Sequence, residues 1–523
     1  MKRIITYLVV IAVISSCADL DLVPKDAQSE LNYWQTEEDA RIFLNSMYAD
    51  LMSADSYLLL SALSDDAYTR AQEGYRNIAN GNYDASNGVV RGMWSGRYAS
   101  IRRSNIFLNN INNVVEISEE KRAAYIAEAR FIRAWHYFYL IELFGDVPFI
   151  TDEISIEESL EVTRTDEAEI LGFIYDELDL AISDLPSDVA GDQQGRITSG
   201  AAIAFKSRVH LYNGQHSEAA ALAGQLIDEY ALFPDYGGLF NMANENNEEV
   251  ILSLQYVPVD REHGIQYFLI PPSLGGYANF SPLQELVDSY PMANGLAIDD
   301  PLSGYDESNP YQNRDPRLSA TIIHDEYSLT DFSGNEVTID TSPGAEPNGL
   351  NFSSNSTPTG YYVSKFYDQQ ARNVSNSGLN LIVIRYAEVL LNYAEAKIES
   401  GTFTSADWNN TVRQIRERAG LSGAAALNYP GNDQEALRTI VRNERRLELA
   451  FEAGHRFFDI RRWQIADEVL DGWAHGIQTN VSPQDDGYER VDLRTFDTDK
   501  HYLWPIPQSE RDINDKLSQN PNW

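Results

Sequence analysis

The groups in this 523-residue chain that could carry chemistry are 79 carboxylates, eight histidines and one cysteine. Their spacing supports little catalysis. No GxSxG elbow, HExxH pair, phosphate loop or dinucleotide fingerprint occurs, and there is no thiol in a catalytic setting. Two carboxylates about 5 to 10 Å apart would suffice for glycoside hydrolysis. A chain this acidic offers many such pairs and singles out none. His455 has no second His or Cys at ligand spacing, which predicts a structural hydrogen bond. Asp299, Asp300, Asp306 and Glu307 cluster without the spacing of a calcium loop, so neither a metal nor a cofactor is expected.

The chemistry open to the one thiol, Cys17, is acylation. Lys2 and Arg3 precede an apolar run over residues 4–14, interrupted only by Thr6 and Tyr7 and too short to span a bilayer as a helix. With the small Ser15 and Ser16 ahead of Cys17, the segment resembles a bacterial lipoprotein leader, cut before Cys17 so that the sulfur and the new amine take fatty chains. Each buried methylene contributes roughly 0.8 kcal/mol, so two or more chains hold a protein on a membrane where one does not. A lone thiol in an oxidising compartment is a hazard unless its sulfur is already used. The formal net charge of −39 repels nucleic acid, anionic lipid and, more weakly, acidic polysaccharides, and favours neutral ligands.

The elements that must position any site are mostly helical. Periodicity starts after Thr36, a cap followed by Glu37, Glu38 and Asp39, where negative charge meets the helix dipole. It dissolves over 65–91, returns over 94–115, 119–144, 166–185 and 199–230, and resumes over 385–400, 405–419 and 433–473. Between 234 and 362 the chain is rich in Gly, Pro, Asn, Asp and Ser, with strand-like pieces such as 249–256. Loops this long are usually functional. Two blocks share a plan: Ala201, Ala204, Ala219 and Ala223 flank a turn at Gly214, and Ala387 and Ala394 precede one at Gly401. Both resemble tetratricopeptide hairpins, whose bare apolar faces require stacking, and about four pairs are expected. The fold class is therefore mainly α, with a loop-rich region containing short strands. The expected parts are a leader peptide over 1–16, a lipidated segment over 17–36, helical parts over 37–233 and 385–523, and a loop-rich insertion over 234–384.

Four stretches raise the match from a repeat to a family: AEARFIRAWHYFYLIELFGDVPF (127–149), IRYAEVLLNYAEA (384–396), RNERRLELAFEAGHRFFDIRRW (442–463) and LWPIPQSERDINDKLSQNPNW (503–523). With NRDPRL (313–318), they are similar to the signature segments of the SusD/RagB family. Ser16 and Asn522 stand where glycine is commoner in that family. The resemblance implies a SusD-like fold and a lipoprotein of the outer surface of Bacteroidota. It also implies glycan binding above a TonB-dependent transporter of the SusC type, without catalysis. RagB-like relatives handle peptides, so a peptide receptor or a repeat-type protein adaptor stands as the alternative, and a hydrolase ranks below both.

Phe131, Trp135, Tyr139 and Phe144 recur at near-helical spacing and read as a core stripe, as do Trp94, Tyr98, Ile101 and Asn105. Arg445, Glu448 and Glu452 share one helical face, and Arg445 and Arg456 are the expected neutralisers. Sugar capture instead needs displayed rings, whose electron-rich faces meet ring C–H groups, with polar partners at the rim. The segment 65–88 suits this, with Tyr68, Tyr75 and Tyr83 among Asp65, Arg70 and Arg76. Tyr277 and Phe280, in the loop freed by Gly275 and Gly276, and Arg372 complete the candidates.

Overall fold

The computed structural model describes residues 33–479 and 485–523. Cys17 and the leader segments around it lie outside the described residues. Helix α1 (Glu37–Tyr48) begins where the sequence places it, in a capping box: the Thr36 hydroxyl accepts from the Asp39 amide and the Asp39 carboxylate accepts from the Thr36 amide. Helix α2 (Gly88–Asn110) starts six residues before Trp94, because the Asn87 side chain caps the amides of Val89 and Val90. Helix α3 (Glu119–Phe144) runs from its Ser118 cap to Gly145, whose φ of +65° ends it. Its aromatic stripe is core: Phe131, Trp135, Tyr139 and Phe144 are all buried. Trp94 is buried as well, tilted against Tyr98 and edge-on to Phe144.

The repeat-like stack continues through α4 (Glu167–Asp184), α5 (Ser199–Tyr212), α6 (His216–Gly224) and α7 (Tyr386–Glu399), each packed on the next. Close approach explains the small residues: Ala201, Ala204, Ala219, Ala223, Ala387 and Ala394 are all buried, and Ser207 Oγ reaches the Ala219 carbonyl at 2.9 Å. Helices α8 (Ser405–Asn410) and α9 (Val412–Arg418) form the return limb of the α7 hairpin, and α10 (Gln434–Glu448) packs across α7. One contiguous apolar cluster runs from Trp34 to Leu517.

The helical block expected over 433–473 is instead four elements. Helix α10 stops at Glu448, and Phe451, Ala453 and Gly454 adopt positive φ before α11 (His455–Arg462) begins. A Cβ on Gly454 would stand 2.6 Å from that of Leu60, so only glycine fits this turn. A short helix, Ala466–Val469, comes next, and then the chain turns to strand.

All sheets among the described residues are two-stranded and antiparallel. Three of them tie loops to the helical stack. Strand β1 (Ala67–Thr69) pairs with β3 (Phe280–Pro282), placing Tyr68 opposite Ser281. Strand β2 (Val250–Leu254) pairs with β4 (Leu381–Arg385), which leads directly into α7. Strands β5 (Gly472–Gln478) and β6 (Tyr488–Arg494) form a ribbon with Trp473 across from Leu493.

The expected neutralisers of Glu448 and Glu452 are engaged elsewhere: Arg445 binds Asp459 at 2.7 Å and Arg456 binds Asp65 at 2.8 Å. Because α10 ends at Glu448, Glu452 sits on the succeeding turn and the two carboxylates meet cations from distant segments. Arg385 reaches Glu249, Glu448 and Glu452 at 2.7 to 2.8 Å, Arg317 reaches Asp315, Glu444 and Glu448, and Lys365 reaches Glu452 at 2.7 Å. Arg418 bridges Glu249 and Glu448, and Arg416 binds Glu444. Burial alone would raise the Glu448 carboxyl, but Arg418, Arg385 and Arg317 outweigh it and hold it well below the usual range. Burial pulls the Lys365 ammonium down to about 8 despite Glu452. His455 is also structural, its ring 3.4 Å from Arg445 and its pKa pushed down by burial and then by the surrounding arginines.

Candidate functional site

The segment with no helical period, 65–88, folds onto two other loops. Beyond β1, the Arg70 amide donates to the Asn279 carbonyl, and the Asn279 side chain accepts from the Ala71 amide at 2.6 Å. The Ala278 amide donates to Asn355, which brings in the loop 351–356. The Arg70 guanidinium then ties that loop down, donating to Asn351 Oδ1 at 2.7 Å and to the carbonyls of Ser353, Ser354 and Ser356 at 3.1 to 3.2 Å. Ribbon β5–β6 is fastened to the same ground, with Arg494 donating to the carbonyls of Ser64 and Ala67 and the Ile477 amide to that of Thr359. Four stretches far apart in sequence thus share one surface.

Tyr68 is half-buried on β1, and Tyr277 is half-buried and stacked on Tyr267 with ring centroids 5.8 Å apart. Two further rings stand out: Phe352, 42% exposed, beside the residues that hold Arg70, and Trp473, 39% exposed, with the Arg490 guanidinium 5.0 Å from its ring centre. Sequence reasoning misses both. A helical period extended to residue 473 takes in Trp473, although Gly472 and Gly476 around it are a ribbon signal. Phe352 is a single ring in a run of Ser and Asn, the context in which an aromatic has no apolar face to join.

The other sequence candidates are placed differently. Phe280 is completely buried, edge-on to Phe451 in the core, so its ring cannot be displayed. Asp65 is 5% exposed and clamped by Arg446 and Arg456. Burial would raise its carboxyl, but the two arginines hold it well below the carboxylate range. Asp66 beside it is raised by burial in spite of Arg446. Arg76 donates to the Arg70 carbonyl at 2.8 Å and supports the backbone of the surface. Tyr75 is half-buried and hydrogen-bonded to Ser56. Tyr83 is taken up in a stack with His501 and Trp523 at the end of the chain. Arg372 is exposed but paired with Glu262 at 2.6 Å, in a loop whose Ser375 and Val374 lie against Gly264 and Gly275. The structure therefore brings Tyr68, Arg70, Arg76 and Tyr277 together, adds Phe352 and Trp473, and takes Asp65, Phe280 and Tyr83 into packing.

No group of three His, Cys, Asp or Glu side chains among the described residues has the geometry of a metal site. No described helix is long and apolar enough to cross a membrane.

A stacked-helix scaffold that gathers loops into a ring-bearing, amide-rich surface has the build of a receptor. Comparison with known proteins gives the family. Residues 242–523 match the SusD family, and residues 20–211 match a family described as starch-binding and associating with the outer membrane. The chain belongs to the SusD family. It is 28% identical over 546 aligned positions to the SusD-like protein P2 of Formosa agariphila, covering 99% of both chains. It is 29% identical over 185 positions to the starch-binding protein SusD of Bacteroides thetaiotaomicron, covering 32% of each. A crystal structure of a SusD-like carbohydrate-binding protein from Bacteroides fragilis superposes with a TM-score of 0.85 at 30% identity, covering 93% of this chain and all of that one. A laminarin-binding SusD-like protein superposes with a TM-score of 0.70 at 25% identity, over 94% of this chain and all of that one.

Proposed function

We propose that this chain is a non-catalytic cell-surface receptor that captures a neutral oligo- or polysaccharide on the surface built around Tyr68, Tyr277, Phe352 and Trp473. In this reading acyl chains on Cys17 tether it to the outer membrane, and it delivers the glycan to a SusC-like TonB-dependent transporter. The observation that carries the reading is the convergence of four sequence-distant stretches into one surface that displays rings and amides. Neighbouring carboxylates Asp65 and Asp66 are engaged by Arg446 and Arg456 in holding the fold. Relatives named for starch, laminarin and carbohydrate binding agree with a sugar. The net charge of −39 favours a neutral one. Tethering beside the transporter supplies effective concentration, so modest affinity suffices.

Isothermal titration of the full chain with starch- and laminarin-derived oligosaccharides tests this. Binding by at least one series is expected, with a Tyr68→Ala, Tyr277→Ala double variant weaker by about tenfold or more, since truncating a central aromatic contact costs about 2 kcal/mol. An unchanged affinity in that variant moves the site elsewhere, and reducing ends appearing over time would overturn the non-catalytic reading.

A further inference from the structure

We propose that the cleft between the C-terminal end of α7 and the start of α10 is a second sugar site, taking a single neutral pyranose unit apart from the loop-built surface. The proposal rests on the reading of the chain as a glycan receptor, but it uses none of the same residues. The cleft has a volume of about 460 Å³, within the range of small-molecule sites. Its nine lining residues include no charged side chain. In a protein with 119 charged residues, that composition is selective. Two other large clefts among the described residues differ in kind: one of about 530 Å³ includes Asp188, Arg196 and Glu229, and one of about 460 Å³ is lined largely by Glu395, Glu399, Glu435, Arg438, Arg442 and Arg462.

The charges flanking the uncharged cleft in sequence are directed elsewhere. Asp407 accepts from Thr404 and from Tyr393, and Glu399 binds Arg438 in bidentate fashion. An ion entering the cleft would lose water without meeting a counter-charge, so charged ligands are disfavoured. What the lining offers is a ring and neutral hydrogen-bonding groups. Tyr429 packs against Phe403 and Trp408, with centroids 6.3 and 6.2 Å away, which fixes its plane. Its hydroxyl donates to Asn432 Oδ1 at 2.7 Å, leaving the Asn432 amide as a donor oriented by that bond. Gln434 donates to the carbonyls of Ile398 and Glu399, which leaves its own amide oxygen to accept. A rigid ring beside one preset donor and one preset acceptor matches the C–H face and vicinal hydroxyls of a pyranose.

The test is saturation-transfer NMR on the full chain with maltotriose and laminaritriose as probes. Three proteins are compared: native, a loop-surface variant (Tyr277→Ala, Trp473→Ala), and that variant with Tyr429→Ala and Asn432→Ala added. Residual transfer is expected in the second and a further drop of about fivefold in the third, the size of a lost aromatic contact. If the cleft changes disturb folding, as the thermal midpoint would report, Ser405→Trp replaces them. Ser405 is exposed at the rim, so a large side chain there blocks the cleft from outside, with the same loss expected. A loop-surface variant silent to both probes overturns the second site and leaves the receptor reading standing. Residual transfer untouched by the cleft changes also overturns it. A native protein silent to both overturns the two together.

Discussion

Arg385 and Arg70 are both ringed by oxygen, yet the oxygens differ. Arg385 is 1% exposed and faces three carboxylates, Glu249, Glu448 and Glu452, together with the Glu448 carbonyl. Arg70, part-exposed, faces three backbone carbonyls and the Asn351 amide oxygen. A guanidinium stripped of water costs several kcal/mol, and carboxylates supply the offset at Arg385, whereas Arg494, also buried, is held by the carbonyls of Ser64 and Ala67. At Arg70, where water still reaches the cation, neutral acceptors suffice. The buried lattice thus locks α7, α10 and the loop-rich region into one body, while the loop surface around Arg70 is held by hydrogen bonds to neutral acceptors.

The sharpest way to break this contrast is to remove a lattice carboxylate. Glu448→Ala leaves Arg385, Arg317 and Arg418 short of a partner, and a loss of about 3–5 kcal/mol is expected in urea unfolding. Glycan affinity of whatever remains folded should be unchanged. A loss below about 1 kcal/mol would mean that water or neighbouring acids replace the missing charge, and the lattice would not brace the molecule.

A smaller effect, with the opposite signature, is expected on the loop surface. Trp473→Ala and Phe352→Ala each remove an exposed ring, so the unfolding free energy should stay within about 0.5 kcal/mol of native. Titration should show glycan affinity falling by about 1–2 kcal/mol, or roughly five- to thirtyfold. Were either variant to unfold early with its affinity intact, that ring would belong to packing, as Tyr83 and Phe280 do.

What can be read from the sequence divides along the same line. Helix limits are legible where a cap or a glycine marks them, as at Thr36, Ser118 and Gly145, and the buried aromatic and alanine stripes are legible because helical periodicity is local. The partners of Glu448 are not, because Arg385, Arg317 and Arg418 reach it across gaps of 30 to 131 positions, which no spacing rule encodes. Helix α10 also ends before Glu452, so the expected i, i+4 relation never forms. Among the ligand candidates, residue type predicts polarity well and exposure poorly. Tyr68 and Phe280 are both sequence candidates for display, yet pairing of β1 with β3 leaves Tyr68 half-buried at the surface and Phe280 in the core. Trp473 is hidden by the opposite error, a helical period extended past Gly472.

The weakest predicted effect tests the fastening of the ribbon that carries Trp473. His475 Nδ1 lies 2.8 Å from Glu285, its amide also donates to Glu285, and Nε2 lies 3.4 Å from Asp485, which binds Arg490 as well. The hydrogen bond to Glu285 raises the imidazole pKa above 6.5, partly offset by burial and reinforced by Asp485. A histidine whose folded pKa is raised contributes stability that is fully present below its unfolded pKa and is lost as pH climbs through the folded one. Anchoring of residues 472–478 should therefore be firmest in mild acid and slacken above neutrality. Because the pair is partly solvated, the change should stay under about 1 kcal/mol. Hydrogen exchange of the β5 amides, followed from acid to alkaline pH and referred to amides in α3, would show protection falling in the native protein and flat in His475→Gln. Protection that rises with pH, or falls equally in the variant, would place the fastening in Arg494 and Ile477 alone.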